Sequence, residues 1–207
     1  MSEIRDVFIS YAHIDDKPLS VNERGWVSNF EYALRNRLEQ LLGRDADIWR
    51  DEKLQGNDEF ADEIVDQFSR LKVLVSVVSP RYLESDWCKK EVLAFCNAAR
   101  EKLKINNKSR IFKVVKTPVP KEKQPVEMQT ILGYEFFQED GDRFREFVLE
   151  KNSPFYNLFM QRFEDVAQDI SKLMQHSPGM GDTSSPGIKA VRCNSGLPSP
   201  LATSARI

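Results

Sequence analysis

Six consecutive residues, Val73-Leu-Val-Ser-Val-Val78, are apolar but for one serine, and no other run constrains the chain as strongly. A strand that is hydrophobic on both faces must be covered on both, as a central parallel strand between two helical layers is. The flanking segments fit that arrangement. Asp6-Val-Phe-Ile-Ser-Tyr11 reads as a buried first strand, Asp47-Ile-Trp49 as a minimal second, Ile111 to Val115 as a fourth and Ile131 to Phe137 as a fifth. Between them, Trp26, Phe30, Ala33, Leu34, Leu38 and Leu41 recur at helical spacing up to a stop at Gly43. Asn57 can cap a second helix, on which Phe60, Ile64 and Phe68 repeat every four residues. Ser85 or Asp86 can cap a third, carrying Trp87, Val92, Leu93, Phe95 and Cys96. Strands alternating with helices at these intervals predict an α/β fold: an open, mostly parallel sheet of about five strands with helices on both faces. Such sheets bind ligands at the carboxyl ends of their strands.

Asp142 to Leu149 and Phe155 to Met174 are expected as further helices, the latter with one stripe running from Phe155 through Phe159, Phe163 and Ile170 to Leu173. From Ser177 the periodicity stops, and six Ser, four Pro and four Gly make up 14 of the last 31 residues. Residues 1–176 are therefore expected as one domain and 177–207 as a disordered tail or a linker.

Charge and composition remove several function classes. Thirty Lys+Arg against 32 Asp+Glu give a net charge of −2, too small a field to gather nucleic acid. No stretch approaches the roughly 20 apolar residues of a membrane span, and a cytoplasmic location is expected. Three cysteines without CxxC spacing and two histidines leave little for a metal site, and no cofactor or metal is expected. GxGxxG, GxxxxGK[ST] and GxSxG are all absent. A phosphate-receiver domain would carry an Asp at the end of its third strand, where this chain has Ser79-Pro80. Nine basic and two acidic residues between Arg100 and Lys123 give +7, leaving −9 elsewhere. That segment reads either as solvated loops around an edge strand that lysines keep from pairing, or as a patch for an acidic partner or phosphates.

Four motifs carry a family resemblance. Asp6-Val-Phe-Ile-Ser-Tyr-Ala-His13, Trp49-Arg-Asp-Glu-Lys-Leu-Gln-Gly56, Val77-Val-Ser-Pro-Arg-Tyr-Leu83 and Trp87-Cys-Lys-Lys-Glu91 resemble, in order, the successive boxes of a TIR (Toll/interleukin-1 receptor) domain. The resemblance covers Ile4 to Met174, with its motifs within residues 4–96 and the C-terminal helices at 142–176; the short loops are most like those of bacterial NAD-cleaving effectors. It implies a flavodoxin-like fold and one of two roles. The first is an NAD glycohydrolase that cleaves the nicotinamide-ribose bond, with NAD as substrate, activated by self-assembly in a defence or signalling role. The second is a non-enzymatic module for homotypic TIR–TIR assembly. Partners implied are NAD, further copies of the chain and a sensor domain or protein.

The resemblance makes Glu91 of the WxxxE arrangement the catalytic residue, with Trp87 beside it. One carboxylate can suffice, because nicotinamide in NAD is already a cationic leaving group, whereas ordinary glycosides need a second carboxyl as general acid. The remaining task is electrostatic stabilisation of the oxocarbenium-like charge at the anomeric carbon. Residues four apart share a helix face, so Trp87 can wall Glu91 from water. The bland alternative makes Trp87 a core anchor and Glu91 a solvated residue paired with a lysine. Tyr11, Ala12 and His13 follow the first strand, where a ligand is expected; His13 can bond a ribose or phosphate, or be an ordinary exposed polar residue. Asp51, Lys53, Leu54 and Gly56 match the family's loop that closes over substrate and meets the next protomer. Phe60 matches a position near nicotinamide or adenine, though it also lies on a core stripe. Cys88 has no neighbouring base to make it a nucleophile.

Overall fold

A computed structural model describes residues 5–21, 23–50 and 67–176. Side chains alternate across its strands and divide the core in two. In β1 (Val7–Tyr11) and β3 (Val73–Val78), Val7, Ile9, Val73, Val75 and Val77 face one helical layer, whereas Phe8, Leu74 and Val78 face the other. β3 is buried at all its positions, as an apolar run without alternation requires. β1 pairs on one side with β2 (Ile48–Trp49) and on the other with β3; β4 (Ile111–Val115) and β5 (Gly133–Glu135) continue the sheet. All four pairings are parallel, with Ser10 opposite Ser76 and Leu74 opposite Ile111. The order β2-β1-β3-β4-β5 is the flavodoxin-like one, and its switch point lies between β1 and β3.

One layer holds α1 (Trp26–Leu42) and α4 (Tyr156–Gln175). Its centre is aromatic: Trp26 stacks on Phe30 with centroids 5.5 Å apart and meets Phe136 and Phe159 edge-on at 5.4 and 5.8 Å. Gly43 ends α1 with a left-handed φ of 66°, donating its N–H to the Glu39 carbonyl at 2.9 Å. The opposite layer holds α2 (Pro80–Glu84) and α3 (Asp86–Ala99), which pack Tyr82, Val92 and Phe95 with Phe68 and Leu71 against the sheet. Ser79 both ends β3 and caps α2, accepting the Tyr82 N–H at 3.1 Å, with Pro80 in the first turn.

At the amino ends of the strands, Asp6 is buried and heavily partnered. Arg44 reaches its two oxygens at 2.6 and 2.9 Å, Lys72 lies at 3.0 Å, and the Asp47 N–H donates at 3.2 Å. Burial alone would raise this carboxyl, but Arg44, Lys72 and the Asp47 amide hold it below its ordinary value.

Three sequence expectations change. Asp142 to Leu149 is not a helix: Phe137–Asp140 and Arg143–Glu146 form an antiparallel hairpin around Gly141, whose φ is 61°. A two-residue turn with glycine at positive φ favours a hairpin over a helix start. The fifth strand is shorter than Ile131 to Phe137, because Phe136 turns into the aromatic core and Phe137 starts the hairpin. Within the basic segment Ile111–Val115 is not an edge strand, since β4 is buried throughout and paired on both sides, while Lys104–Ile105 and Lys108–Ser109 form a separate two-stranded hairpin. Lys113 sits in β4 with its ammonium on Gln124 Oε1 at 3.0 Å and the Met128 carbonyl at 3.1 Å, so one cation within an apolar run did not mark an edge. The expected helix start at Asn57 and the tail from Ser177 lie outside the described residues. Among the described residues no helix is long and apolar enough to cross a membrane.

Candidate active site

β1 delivers Tyr11 to the carboxyl edge of the sheet, where the chain passes through Ala12 into a tight 3-10 turn, His13–Asp16. Two adjacent aspartates tie that turn to different parts of the fold. Asp16 accepts from the Ser28 N–H at 2.6 Å, from Ser28 Oγ at 2.7 Å and from Arg50 at 2.7 Å; Arg50 also pairs with Glu31 at 2.7 Å and lies 5.7 Å from the Tyr11 ring centroid. Asp15 accepts from Ser79 Oγ at 2.5 Å and lies 3.7 Å from Lys116, which pairs with Glu146 of the hairpin at 3.0 Å. Burial raises the Asp15 carboxyl above its ordinary value, and Ser79 and Lys116 offset this only in part.

The other wall comes from α3. Ser85 caps it by accepting the Cys88 N–H at 3.3 Å, which sets Trp87 and Glu91 one turn apart on the face toward β1. Glu91 is only 4% exposed. Its Oε1 accepts from Trp87 Nε1 at 2.9 Å and its Oε2 from Ser10 Oγ at 2.5 Å; Ser10 Oγ is in turn 3.2 Å from the Tyr82 hydroxyl. The bland alternative of a solvated glutamate therefore does not hold. Burial, reinforced by the nearby Glu91 charge, pushes the Cys88 thiol up to about 12, so it stays protonated near neutrality, as its lack of a base implied.

Tyr11, Ala12, His13 and Trp87 line one cleft of about 670 Å³, together with Ile14, Lys17, Arg81, Ser85 and Cys88. The Tyr11 and His13 rings lie 5.6 Å apart on its rim. Lys17 and Arg81 supply cations, and no carboxylate is among the described lining residues. Glu91 stands behind this wall, joined to it through Trp87. Asp51, Lys53, Leu54, Gly56 and Phe60 lie outside the described residues. Among the described residues no group of three or more His, Cys, Asp or Glu could hold a metal ion.

Sequence reasoning missed Ser10, Lys17, Arg81 and Tyr82. Ser10 had a readable mark: it occupies the same strand face as Phe8, where a buried hydroxyl is costly unless it has a partner. Chemically, the arrangement offers a carboxylate gripped at both oxygens behind an aromatic and cationic cleft, at the strand ends where open α/β sheets take ligands.

A family model for the TIR domain matches residues 7–148, more than half of the 207. The chain belongs to the TIR-domain family, and its five-stranded parallel sheet between helical layers agrees with that membership. Among solved structures it is similar to the TIR domains of the activated Roq1 resistosome directly recognizing the pathogen effector XopQ, at 18% identity and a TM-score of 0.41, over 83% of this chain and 78% of that one. No curated protein matches.

Proposed function

We propose that this TIR domain is an NAD glycohydrolase with Glu91 as its catalytic carboxylate. One observation carries the reading: Glu91 is held by Trp87 and Ser10 at the carboxyl edge of the sheet, behind a cleft lined by Tyr11, Ala12, His13 and Trp87. In the reaction, the bond between the ribose anomeric carbon and the nicotinamide nitrogen breaks, and its electron pair neutralises the pyridinium. Water then attacks the anomeric carbon and loses a proton, giving nicotinamide and ADP-ribose. Glu91 stabilises the positive charge that develops on the ribose, and the aromatic walls keep water scarce around that charge. Lys17 and Arg81 suit the anionic pyrophosphate.

Self-assembly completes the proposal. The segment containing Asp51, Lys53, Leu54 and Gly56 joins copies of the chain, so that activity rises faster than linearly with protein concentration. The reading as a non-enzymatic assembly module has one observation in its favour, the 4% exposure of Glu91. Incubation of the full chain with NAD at a series of concentrations, with nicotinamide detected, separates the two. Release that Glu91→Gln abolishes supports the enzyme. No release at concentrations where light scattering shows assembly leaves the module.

A further inference from the structure

The geometry points to Ser10 and Tyr82 as positioning residues for Glu91: a buried hydroxyl chain that fixes the carboxylate from the sheet side while Trp87 fixes it from its own helix. This rests on the role proposed for Glu91. Ser10 is 1% exposed in the middle of an apolar strand, where alanine or valine would suit packing better. Its hydroxyl instead lies 2.5 Å from Glu91 Oε2 and 3.2 Å from the Tyr82 oxygen.

The proton directions follow from donor and acceptor capacity. A carboxylate only accepts and a serine has one proton, so Ser10 gives its proton to Glu91 and receives one from Tyr82. Burial raises the Tyr82 phenol far above its ordinary value, so it remains a donor throughout the pH range of the folded protein. The chain thus runs Tyr82 to Ser10 to Glu91, from α2 through β1 to α3. Successive bonds of this kind polarise one another, and the last is the shortest. With Trp87 on Oε1 and Ser10 on Oε2, the carboxylate plane is fixed by donors from two elements. A charge that need not reorient during reaction is the form in which electrostatic stabilisation is most effective. Ser10 and Tyr82 are both buried, and their hydroxyl chain ends on Glu91, so they act through that carboxylate.

Ser10→Ala, Tyr82→Phe, the double variant and Ser10→Thr test this, each first checked for folding by its melting temperature. Ser10→Ala is expected to lower kcat about tenfold with KM within about twofold, and Tyr82→Phe to lower it about threefold, the scale of a lost buried hydrogen bond. The double variant should be no worse than Ser10→Ala, and Ser10→Thr, which keeps the hydroxyl, should recover most of the rate. A second readout needs no turnover: the indole N–H resonance of Trp87, assigned through Trp87→Phe, should shift and exchange faster with solvent in Ser10→Ala, and less so in Tyr82→Phe. Tyr82→Phe alone carries this readout should Ser10→Ala fail to fold. Wild-type kcat in folded Ser10→Ala, an additive double variant, or an unchanged Trp87 indole would each overturn the assignment. Absence of nicotinamide release from the wild type would refute the proposed activity, while the indole result would still decide the positioning.

Discussion

At the amino end of the sheet a buried carboxylate is met by cations; at the carboxyl end a buried carboxylate is met by a hydroxyl and an indole. Asp6 has Arg44 and Lys72 against it, and their positive charge holds its carboxyl below the ordinary value. Glu91, among the described residues, takes hydrogen bonds from Ser10 and Trp87, both neutral donors. Asp15, also at the carboxyl end, is raised by burial in spite of Lys116. The Asp6 cluster thus serves stability, whereas at the carboxyl end burial outweighs the partners of Asp15; carboxyls perturbed by desolvation in this way cluster at sites that act on ligands.

The sharpest way to break this contrast is to neutralise each carboxylate in turn. Glu91→Gln is expected to reduce nicotinamide release by about a hundredfold or more, the scale of losing one preorganised electrostatic contact, while the melting temperature stays within a few degrees. Turnover assays beside thermal melts check both halves. Unchanged turnover in a folded variant would remove Glu91 from the chemistry.

Asp6→Asn should show the converse. Loss of the ion pairs with Arg44 and Lys72 is expected to cost about 2 kcal/mol of stability, with turnover per folded molecule unchanged; urea denaturation measures the first. The figure is moderate because Arg44 is 46% exposed and can return to water. A folded Asp6→Asn variant without activity would show that the two ends are not separable.

Acid titration sharpens the contrast further, because the two aspartates shift in opposite directions. The Asp6 carboxyl is depressed in the folded state, so its contribution is fully present above the ordinary aspartate value and is lost as pH falls through the depressed one. The stability gap between wild type and Asp6→Asn should therefore be widest near neutrality and close below about pH 4. The Asp15 carboxyl is raised, so protonation favours the folded state, and that contribution is lost as pH rises through the raised value. Wild type compared with Asp15→Asn should accordingly gain relative stability as pH falls from 7 toward 4, by less than about 1 kcal/mol. Parallel slopes for the two pairs would contradict the shifts.

A further small effect, confined to stability, is expected for Gly43→Ala, close to Arg44 at the amino end. A Cβ there meets nothing within 4 Å, so only the left-handed φ of 66° is costly, about 1 kcal/mol in denaturation and nothing in turnover.

Elements defined by an apolar pattern were legible in the sequence. β3, α1 and α4 stand close to where the runs and stripes put them, and the four-residue spacing of Trp87 and Glu91 became a hydrogen bond. Features set by a few polar atoms were less readable. The Gly141 hairpin was hidden because Phe144 and Phe147 also suit a helical stripe, yet Phe144 is 45% exposed and Phe147 buried. The burial of Lys113 was not readable because the partners of its ammonium, Gln124 and Met128, come from a later segment. Arg81 and Lys17 are ordinary surface cations until the fold lines one cleft with both. Ser10 lies within the first motif, but its bond to Glu91 spans 81 positions, and no local pattern encodes such a separation.

The double tether of the His13–Asp16 turn has a mechanical consequence. Asp16 is fastened to Ser28 and Arg50, and Asp15 to Ser79 and Lys116, so neighbouring residues are pulled toward opposite flanks of the sheet. A segment braced like a guyed mast transmits load instead of yielding to it. Widening the cleft at Ala12 and His13 would mean breaking ion pairs on one side or the other, so a bulky occupant must find its room against Trp87 and Arg81 instead. The same bracing runs from Asp15 through Lys116 to Glu146, which puts the hairpin within one rigid link of the cleft wall although more than 100 positions separate them in the chain.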